Sequence, residues 1–112
     1  KTSGSTNGIG TNSLFRSSYG IIISPDGTFA LVSDYGNHQV RKIMMSTAEV
    51  SLLAGGATSG SSNGIGSNAM FNLPVAAAVS LDNTFALIAD YSNNLVRKVI
   101  ISTLEVTTFA GS

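Results

Sequence analysis

The residues best suited to acid–base chemistry are two aspartates, Asp34 and Asp90, each followed by a tyrosine and a turn. A carboxylate at the start of a β-turn accepts backbone N–H groups two or three residues ahead, and Asn37 and Asn93 suit the left-handed corner. This local role explains both aspartates without catalysis. The same interpretation covers the aspartates of two tighter turns, Asp26 and Asp82.

The basic residues form two adjacent pairs, Arg41-Lys42 and Arg97-Lys98. Neighbouring residues of a strand point to opposite faces, so each pair presents one charge to each side of its sheet. If Ser46-Thr47 is a two-residue turn, Lys42 lies diagonal to Glu49 on the same face, and Lys98 is related to Glu105 in the same way. We interpret these side chains as packing their apolar stems on the sheet while the charged ends reach water or a nearby carboxylate, rather than as ligand-binding groups.

The remaining reactive types do not form a site. His38 is the only histidine and there is no cysteine, whereas a metal site needs several converging ligands. The segments Asn7 to Gly10 and Asn63 to Gly66 lack the strand-to-helix context of a phosphate-binding loop and are interpreted as turns. The sequence therefore predicts no catalytic, cofactor-binding or metal-binding residue, no cofactor, and a protein that is not an enzyme.

Charge is sparse and balanced, with six basic and six acidic residues. Without a basic excess, nucleic acid is not an expected partner. The longest aliphatic run, Val75 to Val79, is too short to span a membrane. The Ser/Thr-rich stretches Thr2 to Thr6 and Thr58 to Ser62 are possible sites of O-linked sugars, although a bare loop is the simpler interpretation. The first residue is not Met, which suggests a segment of something longer, and we favour an extracellular origin.

The chain repeats itself after 56 residues without a gap, and 28 of the 56 aligned pairs are identical. A long period of this kind indicates a repeat architecture. We therefore divide the chain into a first repeat, 1–56, and a second repeat, 57–112. Matched segments include Asn7 to Gly10 with Asn63 to Gly66, and Thr28 to Leu31 with Thr84 to Leu87.

Each repeat contains four short strand signals separated by turns and no helical period. The first strand is nearly all aliphatic, which suggests burial on both faces. The predicted strands are Tyr19 to Ser24, Thr28 to Ser33, Gln39 to Met45 and Glu49 to Leu53, and in the second repeat Val75 to Ser80, Thr84 to Ala89, Leu95 to Ile101 and Glu105 to Phe109.

A long polar loop from Gly55 to Pro74 joins the repeats. A sandwich or barrel would mix strands of both halves, whereas a propeller makes each half its own four-stranded blade. The gapless repeat and the long loop favour two antiparallel propeller blades in an all-β chain, at about 19–54 and 75–110. Phe15 and Phe71 are lone aromatics before a strand, and we expect both to be buried anchors of the loops.

The motifs resemble the NHL-repeat family of β-propellers, named for an Asn-His-Leu triplet. The resemblance covers both halves and is carried by four segments: Ser24 to Gly27, Asp34 to Ile43, Asp90 to Val99, and Phe71-Asn72-Leu73-Pro74. The triplet itself is imperfect, since Asn37-His38-Gln39 and Asn93-Asn94-Leu95 stand in its place. The resemblance implies a ring of blades, usually six. It does not imply one function, because members range from RNA-binding domains to enzymes.

Two blades cannot close a ring, and each blade hides its faces only against neighbours. We therefore expect a non-enzymatic structural or assembly module, completed by other copies of itself or by flanking repeats. Self-association would give a closed ring, which we favour because blades of this family normally close, or an open filament. The alternative is a ligand- or protein-binding propeller with its site at the loop rim or in the central channel.

Overall fold

The computed structural model describes residues 7–10, 15–16, 18–56 and 58–111. These residues form ten β-strands and three short 3-10 turns, the latter at Tyr35–Asn37, Gly66–Asn68 and Tyr91–Asn93. The strands are β1 (Gly8–Ile9), β2 (Ser18–Ile23), β3 (Phe29–Asp34), β4 (Gln39–Met44), β5 (Glu49–Ala54), β6 (Gly64–Ile65), β7 (Pro74–Val79), β8 (Phe85–Asp90), β9 (Leu95–Ile100) and β10 (Glu105–Gly111).

The strands form two antiparallel sheets, in the orders β1-β5-β4-β3-β2 and β6-β10-β9-β8-β7. Each sheet takes its strands from one continuous stretch of chain, and among the described residues β5 pairs with β1 and β4 of its own sheet. The chain is therefore all-β, as predicted. We call β2 and β7 the inner strands, because each ends its sheet on the side opposite the short strands β1 and β6.

Each sheet has five strands rather than the four that were predicted. The additional strands, β1 and β6, lie in segments that were interpreted as turns. Gly64 pairs with Val106 and Ile65 with Glu105, and the backbone N–H of Gly66 donates to the carbonyl of Leu104 at 2.9 Å. The loop thus pairs with the open edge of β10 at Glu105 and Val106 before it turns back toward the inner strand.

The core lies where one face of the first sheet packs against the opposite face of the second. The first sheet contributes Phe29, Leu31, Val40 and Leu53, and the second contributes Ala86, Ile88, Val99 and Val106. Phe71 of the connecting loop is fully buried in the same cluster. Face-to-face stacking of the two halves therefore supplies the apolar burial that one blade could not supply alone.

The inner strand β2 is not buried on both faces, contrary to the sequence-based expectation. Its residues alternate between exposed and partly buried, with Ile21 and Ile23 exposed and Ile22 packed against the core. The reason is tertiary: the second sheet covers only one side of the first. The aliphatic composition of β2 could not show which of its two faces a neighbour covers.

The turns follow the expected chemistry at the tight corners. Gly27 and Asn83 adopt φ values of 76° and 63°, where glycine and asparagine are tolerated. At the Asp-Tyr turns the left-handed residues are His38 and Asn94, both at φ 56°, rather than Asn37 and Asn93. Those two asparagines instead lie in the 3-10 turns, where their side-chain amides donate to Asp34 and Asp90.

Within the described residues, no helix has the length and apolar character needed to cross a bilayer.

Candidate functional site

A buried ion pair lies at the centre of the second blade. Arg97 on β9 donates from Nη1 to the Asp90 carboxylate at 2.9 Å, and both side chains are fully buried. The spacing of seven residues places them on facing ends of β8 and β9, where Asp90 pairs with Leu95. Asp90 also accepts the Asn93 amide at 2.7 Å, so one carboxylate oxygen holds two donors.

The same arginine holds the inter-blade loop. Its guanidinium donates to the carbonyls of Met70 at 2.8 Å and Ser62 at 3.0 Å, and to Asn63 Oδ1 at 2.8 Å. The Phe71 ring lies over it, 5.2 Å from ring centroid to Cζ. The Asp90 carboxylate also accepts the backbone N–H of Asn72 at 2.7 Å. The pair thus fixes the polar, glycine-rich stretch that leads to the buried Phe71.

The first blade repeats this arrangement. Arg41 Nη1 donates to Asp34 at 2.9 Å, and Arg41 Nη2 donates to Asn7 Oδ1 at 2.7 Å. The Phe15 ring lies over the guanidinium at 4.9 Å, and the backbone N–H of Arg16 donates to Asp34 at 2.8 Å. Phe71 is fully buried, as predicted, whereas Phe15 is only partly buried because the second blade covers the opposite face of the first.

These contacts correct two sequence-based interpretations. Both arginines are fully buried and paired, so their charges do not reach water along an apolar stem. Asp34 and Asp90 accept backbone N–H groups from 18 residues earlier in the chain rather than from their own turns. The signal that could have shown this was the repeated set of Asp, Asn, Arg and a distant Asn at matched positions.

The lysines also differ from the expectation. Lys42 lies over the Phe29 ring at 4.9 Å and Lys98 over the Phe85 ring at 4.6 Å. Between the described residues, neither lysine forms an ion pair with Glu49 or Glu105. An adjacent aromatic face gives an ammonium group a contact that costs less side-chain ordering than reaching a flexible glutamate on the next strand.

His38 connects the two blades through its imidazole. Its Nδ1 accepts the backbone N–H of Leu73 at 3.1 Å, immediately before β7 begins. Leu73 has φ 60°, which is unusual for an aliphatic residue. This bond satisfies a backbone donor at the point where the loop enters the inner strand. The sequence placed His38 in a turn but could not show that it crosses to the second blade.

The exposed turns of Asp26 and Asp82 lower the pKa of both carboxyl groups. For Asp26 the main cause is the backbone N–H of Thr28, followed by the hydroxyl of Ser24. For Asp82 it is the hydroxyl of Thr84, followed by that of Ser80. Hydrogen bonds to the ionised form favour it, and they also tie the two ends of each turn together.

The outer faces of the two stacked blades are apolar and uncovered. On the first blade, Tyr19, Ile21 and Ile23 are 68%, 69% and 55% exposed. Beside them is a cavity of about 350 Å³ lined by apolar side chains: Phe15, Tyr19, Ile21, Val32 and Ile43, with Ser18 and Gly20 at its margin. On the second blade, Ala76, Ala78 and Phe109 are exposed. The part of the chain that the structure describes brings no three His, Asp or Glu residues together as a metal site.

The loop stretch Thr58 to Ser62 is mostly exposed, and Thr2 to Thr6 lie outside the described residues. What the arrangement can do chemically is hold loops and stack sheets, since each of its aspartates is engaged in an ion pair or a turn. The open apolar faces are the surfaces available for recognition.

Comparison with known proteins agrees with this architecture, although no protein-family model matches the chain. NHL repeat-containing protein 2 of Gallus gallus is 30% identical over 91 residues, which is 81% of this chain and 12% of that protein. A protein of unknown function from Bacteroides thetaiotaomicron superposes with a TM-score of 0.74 at 27% identity. It covers all of this chain and is matched over 26% of its own length.

An auxiliary nutrient binding protein from the same bacterium has a TM-score of 0.70 at 20% identity over 81% of this chain and 25% of its own. At that identity the likeness concerns the fold alone. The present chain thus spans about an eighth of the curated relative and about a quarter of the solved structures. Its duplicated sheets, its repeat motifs and these relatives place the chain in the NHL-repeat family of β-propeller proteins.

Proposed function

We propose that this chain is a non-enzymatic structural module, a pair of propeller blades whose role is to build a larger object by stacking on further blades. The neighbours are other copies of the chain or flanking repeats of the same kind. The observation that carries the proposal is the exposure of apolar sheet faces at both ends of the pair. Soluble monomers rarely expose contiguous apolar surface of this kind.

The distribution of charge supports the same proposal. Arg41 and Arg97 are buried in ion pairs, and Lys42 and Lys98 lie over aromatic rings. This leaves little positive charge arranged for nucleic acid, and little charge of either sign to oppose the stacking of two sheets.

The absence of an enzymatic role is part of the proposal. The four aspartates are engaged in ion pairs or turns, and the single imidazole accepts a backbone N–H through Nδ1. An acid–base catalyst needs a group free to exchange a proton with a substrate beside it. The alternative function, a ligand- or protein-binding propeller, would use the same open faces or the rim of a ring completed by further blades.

The test is the mass of the isolated chain in solution. Light scattering at micromolar concentration is expected to find assemblies in which the 11.5 kDa chain is the repeating unit. Three copies would correspond to a six-bladed ring, whereas a mass that grows with concentration would correspond to a filament. A folded, soluble monomer over this range would contradict the proposal.

A further inference from the structure

We propose that two copies of this chain join head to tail, with the open face of β7 in one copy packed on the open face of β2 in the other. The inference rests on the proposed function, because it names the partner surface and the residues that set its fit. The surface on the first blade is defined by Tyr19, Ile21 and Ile23. The surface on the second blade is defined by Ala76, Ala78 and Leu87.

The junction inside the chain is the template for this contact. There, Ile22 of β2 packs toward the core that also holds Ala77 and Val79 of β7. Exposure alternates with opposite phase along most of the two inner strands: over Gly20 to Ile23 the even-numbered residues are the more buried, and over Val75 to Val79 the odd-numbered ones. The repeats are offset by 56 residues, an even number, so equivalent residues have the same parity. The buried face of one inner strand is therefore equivalent to the open face of the other.

The two free faces exchange large and small side chains relative to the internal junction. At the internal junction, the large Ile22 of β2 and the small Ala77 of β7 both pack against the shared core. At the junction between copies, Ala78 on the second blade takes the place of Ile22, and Ile21 on the first blade of the next copy takes the place of Ala77. The large and the small residue have therefore changed sides. The summed volume at this pair is conserved, which is the condition for close packing.

The differences between the repeats are concentrated on these strands. None of the six aligned positions of β2 and β7 is identical, whereas four of six are identical between β3 and β8. If the inner strands served only to complete their own sheets, no such concentration would be needed. Different neighbours on the two sides of each strand provide a physical reason for it.

The junction between two copies must also hold the inner strands farther apart at one point than the junction between the two blades of one chain does. A Cβ on Gly20 would lie 2.9 Å from the carbonyl oxygen of Val75, too close for two non-bonded atoms. The equivalent of Gly20 on the open face is Ala76, which carries that Cβ. The copies therefore cannot approach as closely there as the two blades of one chain do.

The cavity on the first blade marks where the partner's side chain would lie. The equivalents of its apolar lining in the second blade include Phe71, Ala77, Ile88 and Val99, which line the internal core together with Leu31. The counterpart of Leu31 on the open face is Leu87. Seated in the same way, Leu87 of a second copy would enter the cavity beside Ile21 and occupy part of its volume of about 350 Å³.

The geometry can be tested with one charge on each face. Ile21→Glu and Ala78→Glu both alter exposed positions, so each variant is expected to keep the wild-type circular dichroism spectrum. Each alone is expected to be monomeric in analytical ultracentrifugation. A one-to-one mixture is expected to form a heterodimer and nothing larger, because each copy retains the one face that the other lacks.

Three outcomes are informative. A wild-type chain that is monomeric would overturn the proposed function itself. A wild-type chain that associates, together with variants that form no heterodimer, would overturn only the head-to-tail contact. Self-association of the Ala78→Glu variant alone would show that two Ile21 faces meet each other, which also overturns it.

A second experiment tests the exchange of volumes. Ile21→Ala opens a gap and Ala78→Ile overfills the contact, so each is expected to weaken association about tenfold or more. The double variant recreates the pair found inside the chain and is expected to return to within about threefold of the wild-type dissociation constant. Additive losses in the double variant would show that residues 21 and 78 do not meet.

Discussion

At the scale of single residues, the most consequential feature is a pair of fully buried charges in each blade. Arg97 has no exposed surface, and its two Nη groups donate to the Asp90 carboxylate, to Asn63 Oδ1 and to the loop carbonyls of Met70 and Ser62. Its Nε has no hydrogen-bond partner among the described residues. A buried pair of this kind contributes little compared with an apolar replacement but is costly to break. Its value here is that one side chain specifies the path of a loop.

Replacing Asp90 with Asn is therefore expected to lower the free energy of unfolding by about 3–5 kcal/mol, because Arg97 would keep its charge without a counterion. The measurement is urea denaturation at one fixed protein concentration, since association adds to apparent stability. Asp82→Asn in an exposed turn is the matched control and should cost clearly less. Equal losses in the two variants would contradict the role assigned to the buried pair.

The two loop aromatics give a second comparison. Phe71→Ala is expected to cost about 3–5 kcal/mol, because the ring is fully buried in the core between the sheets. Phe15→Ala should cost less, since Phe15 retains solvent contact at the open end of the first blade. A loss below about 1 kcal/mol for Phe71→Ala would show that its burial contributes little.

The turn carboxylates predict a pH effect with a definite sign. The pKa of Asp82 lies below 3.8 in the folded chain, so its ionised form is stabilised by folding. The contribution is fully present above pH 3.8 and is lost as the pH falls through the folded pKa. Removing the leading hydroxyl with Thr84→Val should raise the pKa of Asp82, measured by NMR titration of its side-chain carboxyl carbon. Thr28→Val should move Asp26 less, because a backbone N–H is the main cause there.

At the scale of elements, the close approach of the two inner strands sets the spacing between the blades. Gly20 lies where the carbonyl of Val75 comes nearest, and the backbone there leaves no room for a Cβ. The short strands β1 and β6 act at the opposite margin, where they pair with β5 and β10. The loop between the blades therefore pairs with the second sheet through β6 and packs into the core through Phe71.

Gly20→Ala is expected to destabilise the chain by about 1–3 kcal/mol, because the strands must separate to admit the methyl group. Thermal unfolding at fixed concentration measures the effect. Ala76→Gly, the aligned position on the open face, is the control and should cost only the greater backbone freedom of glycine, about 0.5–1 kcal/mol. A Gly20→Ala chain as stable as wild type would show that the junction yields easily.

At the scale of the whole molecule, the proposed stacking would join β2 and β7, two strands that carry no charged side chain. Such an association depends weakly on screening and gains from solutes that strengthen the hydrophobic effect. The mean mass from light scattering is therefore expected to hold between low salt and 0.5 M sodium chloride, about where screening is nearly complete, and to increase with ammonium sulfate. Dissociation in sodium chloride would indicate that ion pairs hold the copies together.

The sequence by itself determined the repeat, the four longer strands of each blade and the tight turns, but not the short strands β1 and β6. Alternating and aliphatic runs fix strands locally, and Gly27 and Asn83 accept the backbone angles their corners require, so both are encoded within a few residues of chain. The strand bounds consequently moved by no more than two residues at either end between expectation and structure.

Only the tertiary structure decided what the charged residues do and which apolar faces are covered. Arg97 bonds to residues 27 to 35 positions away, and His38 reaches Leu73 in the other blade, contacts that no local pattern encodes. The exposure of Ile21 and the burial of Ile22 likewise depend on which side of β2 the second sheet occupies. Packing between distant segments makes that choice, because the more apolar face of the strand, Tyr19, Ile21 and Ile23, is the one that stays exposed.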